Sequence, residues 1–221
     1  METEAFTLLE LFRMGGIIMW PLLLFSIAAI AISIERIIYL VYHNLRLDDL
    51  TAVVSEYAEN GKYGEAVQYL SDLHKRRMGA RILLALLKRS SPGPDFSENR
   101  AERAAEAEAM NCVNSLENGF NFLVAIGSIA PLTGFLGTVT GMIGAFRAIA
   151  EATEVNAQIV ASGIYEALIT TVFGLIVAII AMIFHSVFTH IVNRFVSQVE
   201  GHCSDLIAQL ARQTEQLRKT G

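Results

Sequence analysis

Oxygen-bearing side chains sit where the chain is otherwise oily, and they are the residues with chemistry to offer. "GIYEALITTVFG" (Gly163–Gly174) holds Glu166 and the pair Thr170–Thr171, and "PLTGFLGTVTGMIGAF" (Pro131–Phe146) holds Thr133, Thr138 and Thr140. A hydroxyl in oil needs a hydrogen-bond acceptor, and a carboxylate drawn towards the centre of a bilayer costs about 2–3 kcal/mol. Such groups can pass a proton or replace part of a cation's hydration shell. Covalent chemistry needs more: there is no nucleophile–base pair, no phosphate-cradling glycine loop and no metal-ligand spacing. No enzyme activity and no cofactor is therefore expected. His202 beside Cys203 is too small a cluster for a metal, and Cys112 and Cys203 read as free thiols of a reducing compartment.

Each of these residues has a plainer reading beside the functional one. Glu166 either meets water, a partner or a proton pathway, or it ends a helix at a membrane interface, near the N-terminus where negative charge is favoured. The threonines either line a hydrated path or bond their own backbone carbonyls. His185 and His190 either relay protons or are solvated near the opposite interface. The run "HKRR" (His74–Arg77) is either a solvated face or a lipid or partner contact.

The elements that must position them are long apolar spans. Met14–Ile34 lies between Arg13 and Glu35, Asn118–Phe146 between Glu117 and Arg147, and Ala167–Asn193 between Glu166 and Arg194. Each exceeds the roughly 20 residues that cross about 30 Å of hydrocarbon. Composition agrees: 53% of the 221 residues are hydrophobic and 18% charged, with a mean hydropathy of +0.44, well above an average soluble domain. A net charge of −5 argues against nucleic-acid binding. The start, "METEAF", is acidic where a signal peptide is basic, so the first span is expected to stay as a permanent helix.

Lysine and arginine set orientation. Eleven fall between residues 35 and 117 and four after 167, against one before 35 and one within 147–166. The N-terminus is therefore expected outside and the C-terminus inside. The expected layout is an amphipathic outer-face segment over 1–13, transmembrane helices over 14–40, 118–146 and 167–193, a cytoplasmic helical domain over 41–117, a short outer loop over 147–166, and a cytoplasmic helix over 194–221. Within the cytoplasmic domain, Asp48 or Asp49 starts a helix that Gly61 stops, "GEAVQYLSDL" and "GARILLALLKR" give two more, and "SSPGPDFS" (Ser90–Ser97) is the break. Ser97 then caps a helix that nothing is expected to stop before Phe146, roughly 70 Å in all. Apolar residues at 195, 196, 199, 206, 207 and 210 continue the third span as an amphipathic helix that needs neighbours, which points to an oligomer.

On the second span, Gly127, Ala130, Gly134, Gly137, Gly141, Gly144 and Ala148 step by three or four and make one stripe of small residues. Such a stripe lets a second helix backbone approach closely in lipid. Thr138 flanks it on one side, and Thr133 and Thr140 on the other. On the third span Gly163, Glu166, Thr170, Gly174, Ala181 and His185 share an arc, with Thr171 just beyond. Counted from the outer ends, Thr138 and Thr171 lie at similar depth.

Three stretches together resemble the ExbB/TolQ/MotA proton-channel family, in its three-span ExbB/TolQ branch. "MWPLLLFSIAAIAISIERIIYL" looks like the first span of ExbB-type proteins, and "APLTGFLGTVTGMIGAF" is similar to the family's Pro-x-x-Gly-Leu-x-Gly-Thr-Val-x-Gly-Met signature. "GIYEALITTVFGLIVAI" looks like Gly-Ile-x-Glu-Ala-Leu-x-x-Thr-x-x-Gly-Leu. The resemblance implies an all-α membrane protein of the bacterial inner membrane, its N-terminus periplasmic, assembled as a pentamer around a central pore. In that pore would sit a dimeric single-span partner resembling ExbD or TolR, whose aspartate takes up and releases the ion; a TonB- or TolA-like protein would take up the work. By motif, Thr138 and Thr171 are the pore-facing hydroxyls, Glu166 the glutamate that starts the third span, and Pro131 the helix-distorting proline. Gly134, Gly137, Gly141, Gly144 and Gly174 are packing residues. Thr140 departs from the usual tryptophan or apolar residue. With Thr133 and Thr170 it adds hydroxyls that a sodium ion would use, so sodium stands as the alternative to the proton. A passive scaffold for the partner is the alternative of another kind.

Overall fold

The computed structural model describes residues 8–89, 96–151 and 157–220. "METEAF", most of the Ser90–Ser97 break and residues 152–156 of the outer loop lie outside the described residues. The described chain is helical throughout: α1 (Leu8–Met14), α2 (Met19–Tyr42), α3 (Asp48–Glu59), α4 (Tyr63–Leu73), α5 (Met78–Arg89), α6 (Glu98–Glu117), α7 (Phe120–Glu151) and α8 (Ala157–Thr220). Three helical stretches, Met19–Tyr42, Glu98–Glu151 and Ala161–Gln216, are long and apolar enough to cross a membrane. The chain divides into two compact units, residues 1–35 with 119–187, and residues 36–118 with 188–221.

The first unit is the apolar one. α2 buries one stripe, through Met19, Leu22, Ala29 and Ser33, and leaves Trp20, Leu24, Ile27 and Ile34 exposed. Ser33 spends its hydroxyl on its own helix, donating to the Ala29 carbonyl at 2.7 Å. The first span starts later than its apolar run suggests, because Gly15 and Gly16 separate α1 from α2 and Gly16 has φ +67°. The segment ahead of the first span is a short helix in its described part, with Phe12 edge-on to Trp20 at 5.5 Å.

The expected unbroken helix from Glu98 to Phe146 is two helices. Asn118 leaves the helical region (ψ 126°), and Gly119 has φ 90°, which favours glycine. The Asn-Gly pair is a turn signal, hidden in the sequence by the helix formers on one side and the apolar run on the other. α7 in turn runs on past its apolar span to Glu151, and α8 begins ahead of its own at Ala157.

The second unit is a helical core of ordinary aqueous design. Leu50, Val54, Leu70, Met78, Ile82, Leu83 and Leu86 are fully buried, each worth about 1.5–3 kcal/mol of burial. α8 adds Val192, Phe195, Val199, Cys203, Leu206 and Leu210 at steps of three or four. Gln209 and Gln213 of α8 donate to the carbonyls of Ser55 and Ala58 on α3 at 3.2 and 3.0 Å. Arg36, 7% exposed, donates to the Ser115 carbonyl at 3.2 Å, satisfying one of the last-turn carbonyls of α6.

The basic run divides. Arg77 is a structural residue: it grips the Asp49 carboxylate at 3.0 and 2.8 Å and the Arg46 carbonyl at 3.1 Å. Burial pushes the Asp49 pKa up, but hydrogen bonds from Arg77 and from its own backbone amide, with the charges of Arg77 and Arg46, together hold the carboxyl below its ordinary value. Lys75 and Arg76 are exposed. Both cysteines are buried and free, and burial pushes each thiol up to about 11.

Candidate functional site

The site is built on the seam between α7 and α8. Where lipid offers no hydrophobic drive, two helices associate by close backbone approach, and glycine permits it. A β-carbon on Gly134 would stand 2.8 Å from the Thr170 carbonyl oxygen and 3.1 Å from the Thr171 Cα, and one on Gly174 would stand 2.7 Å from the Ala130 carbonyl oxygen. Further out, Gly141 faces Ala167 and the Gly163 carbonyl at 3.1 Å, and Gly137 faces the Thr170 side chain. Gly144 departs from the expected stripe, since a β-carbon there would meet nothing within 4 Å. Three residues past Gly141 the helix has turned about 60° off the seam, and Ala145, 5% exposed, takes the contact with Gly163 instead. Pro131 lies inside α7 and withholds the amide that would bond Gly127.

The two threonines of α8 converge on one oxygen. Thr170, 1% exposed, donates to its own helix at Ala167 (2.8 Å) and reaches the Gly134 carbonyl at 3.3 Å. Thr171 donates to the same Gly134 carbonyl at 3.2 Å. The threonines of α7 look inward to their own backbone. Thr138 donates to Phe135 at 2.6 Å, Thr133 to Ile129 at 2.9 Å, and Thr140 to Leu136 and Gly137 at 3.0 and 3.1 Å. Thr138 and Thr171 share no hydrogen bond. Thr138 is one turn, about 6 Å along α7, beyond the carbonyl that Thr171 binds, so their depths match to within a turn.

Glu166 does not end a helix. α8 begins at Ala157, nine residues earlier, or about 14 Å, beyond the first turn where the helix dipole favours a negative charge. "AQIVASGIY" is compatible with helix, and the sequence gives no reason for it to stop at the acid. The carboxylate is half-buried and lies against Gly16 of the turn between α1 and α2. His185 packs edge-on to Phe120 at 6.2 Å, a packing contact beside the sequence's relay or solvent readings, whereas His190 is exposed.

Two contacts were not foreseen in the sequence. One is the seat of Glu166 on Gly16, whose only outward sign was the Gly15–Gly16 pair ahead of an apolar run. The other lies in the second unit, where His202 sits 3.1 Å from the Asp48 carboxylate through Nε2 and 3.3 Å from the Thr51 hydroxyl through Nδ1.

Residues 74–201 match the model of the MotA/TolQ/ExbB proton channel family. A biopolymer transport protein of Synechocystis sp. named ExbB-like 1 is 34% identical over 194 residues, which is 82% of this chain and 70% of the relative. The biopolymer transport protein ExbB of Salmonella typhimurium is 36% identical over 123 residues, 54% of this chain and 49% of the relative. The Tol-Pal system protein TolQ of Haemophilus influenzae is 40% identical over 97 residues, 43% of this chain and 42% of the relative.

Proposed function

Since the chain belongs to the MotA/TolQ/ExbB proton channel family, we propose that it is the channel subunit of an ion-driven motor in the bacterial inner membrane. Its N-terminus faces the periplasm. Copies of the chain, five by the family resemblance, surround a dimeric single-span partner of the ExbD/TolR kind. An acid on that partner's helix loads and unloads the ion, and the resulting motion is passed through a TonB- or TolA-like protein to the outer membrane or envelope. The transported ion is a proton, and no step makes or breaks a covalent bond to carbon.

One observation carries this reading. The family's two signature stretches pack directly on one another, and their seam presents Thr170 and Thr171 at a single backbone carbonyl. Thr171 and Thr138 are the hydroxyls offered to the partner's acid, Glu166 stands at the outer approach, and Thr133, Thr140 and Thr170 supply the further oxygens. ExbB-type service of TonB-dependent uptake is the preferred pathway, supported by the share of the ExbB-like relative that the match covers. A Tol-Pal role is the second reading, supported by the 40% identity to TolQ.

The test is ion flux. The full chain, purified from its native membrane with the proteins that stay bound to it, is reconstituted in liposomes, and a valinomycin-imposed potential drives protons past an internal pH indicator. Thr138→Val, Thr171→Val and Glu166→Gln are compared with the unaltered chain, and at least two of them should abolish flux. Full flux in all three would leave a passive scaffold. Repeating the assay with Thr140→Val in sodium-rich and sodium-free medium examines the ion, and unchanged ion dependence would remove Thr140 from the pathway. A neighbouring reading frame for a short single-span protein with an aspartate near the start of its helix is the expected genetic context.

A further inference from the structure

The turn between α1 and α2 is built against the site's only carboxylate among the described residues of α8's outer half. Gly15 and Gly16 close α1, and the carbonyls of Gly16 and Ile17 then accept from Met19 and Trp20 at 3.3 Å as α2 begins. Gly16 has φ +67°, and Oε1 of Glu166 occupies the place where a β-carbon on residue 16 would be, with the Glu166 Cδ at 3.0 Å and Cγ at 3.8 Å from that point. A β-carbon on Gly15 would meet Ile169 of α8 at 3.3 Å, so the same turn also touches α8 one helical turn past the acid. The missing side chain at residue 16 is therefore a socket, and the carboxylate fills it.

We propose that Gly16 is a positioning residue for ion passage: it holds the Glu166 carboxylate at the outer approach, and any side chain there displaces the acid. This rests on Glu166 lying on the ion pathway. The mechanism is steric. A methyl group at residue 16 and the glutamate's terminal oxygen claim one volume, and a carboxylate one methylene shorter vacates it. Gly16→Ala alone also places alanine at a positive φ, a strain that any partner at residue 166 leaves unchanged. Recovery on shortening the acid therefore reports the contact and not the backbone.

The experiment is a four-variant cycle in the liposome flux assay just described: unaltered chain, Gly16→Ala, Glu166→Asp and the double variant. Gly16→Ala is expected to lower proton flux at least tenfold, and the double variant to exceed Gly16→Ala at least fivefold. Flux in Gly16→Ala equal to the unaltered chain, or a double variant no better than Gly16→Ala, overturns the proposal. Where Gly16→Ala fails to insert, yield and thermal midpoint are compared with Gly16→Ala/Glu166→Ala. Removing the carboxylate should raise both above Gly16→Ala, short of the unaltered chain by the backbone strain that remains, and no rise overturns the contact. Glu166→Gln in the same assay separates the two ideas. Full flux there removes Glu166 from the pathway, and the midpoint comparison then judges the socket alone.

Discussion

Gly134 and Gly144 belong to one stripe of the sequence, yet their alanine variants should behave differently. Both changes gain the same helix propensity, about 1 kcal/mol in favour of alanine, so that contribution cancels between them. At Gly134 the added β-carbon would stand 2.8 Å from one backbone atom of α8 and 3.1 Å from another. Ordinary contact begins near 3.4 Å, and backbone cannot rotate away as a side chain can. The two helices must therefore part by about 0.6 Å, an overpacking that costs roughly 1–3 kcal/mol. At Gly144 the new methyl meets nothing within 4 Å. Gly134→Ala should thus be less stable than Gly144→Ala by about 1–3 kcal/mol, a factor of roughly 5–150 in the folding equilibrium. The measurement is reversible unfolding of the dispersed full chain in mixed micelles by titration with SDS, followed by Trp20 fluorescence and far-ultraviolet circular dichroism. Equal losses at the two positions, or a larger loss at Gly144, would refute the α7–α8 register.

Two further predictions concern the second unit. Cys112 and Cys203, buried and with thiols pushed up to about 11, should resist iodoacetamide at pH 8 in the folded chain and react within minutes once it is unfolded. A folded-state pKa above the unfolded value near 9.0 stabilises below pH 9, and that stability is lost as the pH rises towards 11, so the midpoint of unfolding should fall across that window. Arg77→Met should lower the unfolding midpoint by an amount matching about 1 kcal/mol, since the pair, with both contacts from one Arg77 nitrogen, is open to solvent at Asp49. Because Asp49 is held below its ordinary value of 3.8, the pair's contribution is present above pH 4 and lost as acid carries the folded carboxylate through its own pKa; the difference between Arg77→Met and the unaltered chain should shrink steadily as the pH falls below 3.8.

Periodicity made the second unit legible. Of the apolar steps at 195, 196, 199, 206, 207 and 210 in the sequence, α8 buries 195, 199, 206 and 210 and leaves 196 and 207 part-exposed, because in water burial follows the helical repeat. The three apolar spans and the glycine seam were legible for the complementary reason, that lipid permits few other designs. What stayed hidden depended on register and on single backbone angles. The break at Asn118–Gly119 changes one φ without changing composition on either side. Gly144 looks like its stripe-mates until the 60° drift per three residues carries it off the seam. Glu166 resembles a helix end in the sequence because it marks the limit of the apolar run, whereas α8 runs nine residues beyond it. The seat on Gly16 joins residues 150 positions apart, and no local pattern records such a contact.

The shared acceptor at Gly134 gives the seam redundancy. The carbonyl lies inside α7 and already takes the helix's own amide, so the hydroxyls share only its remaining lone pair. The single Thr170 proton is held nearer by the Ala167 carbonyl, at 2.8 Å. Deleting the Thr171 hydroxyl therefore strands no oxygen, and Thr171→Val is insured against collapse by the ladder of α7. A transport defect in a Thr171→Val chain that keeps its unfolding midpoint would be a loss of chemistry alone. The fold carries its own internal control at the residue where mechanism most needs one.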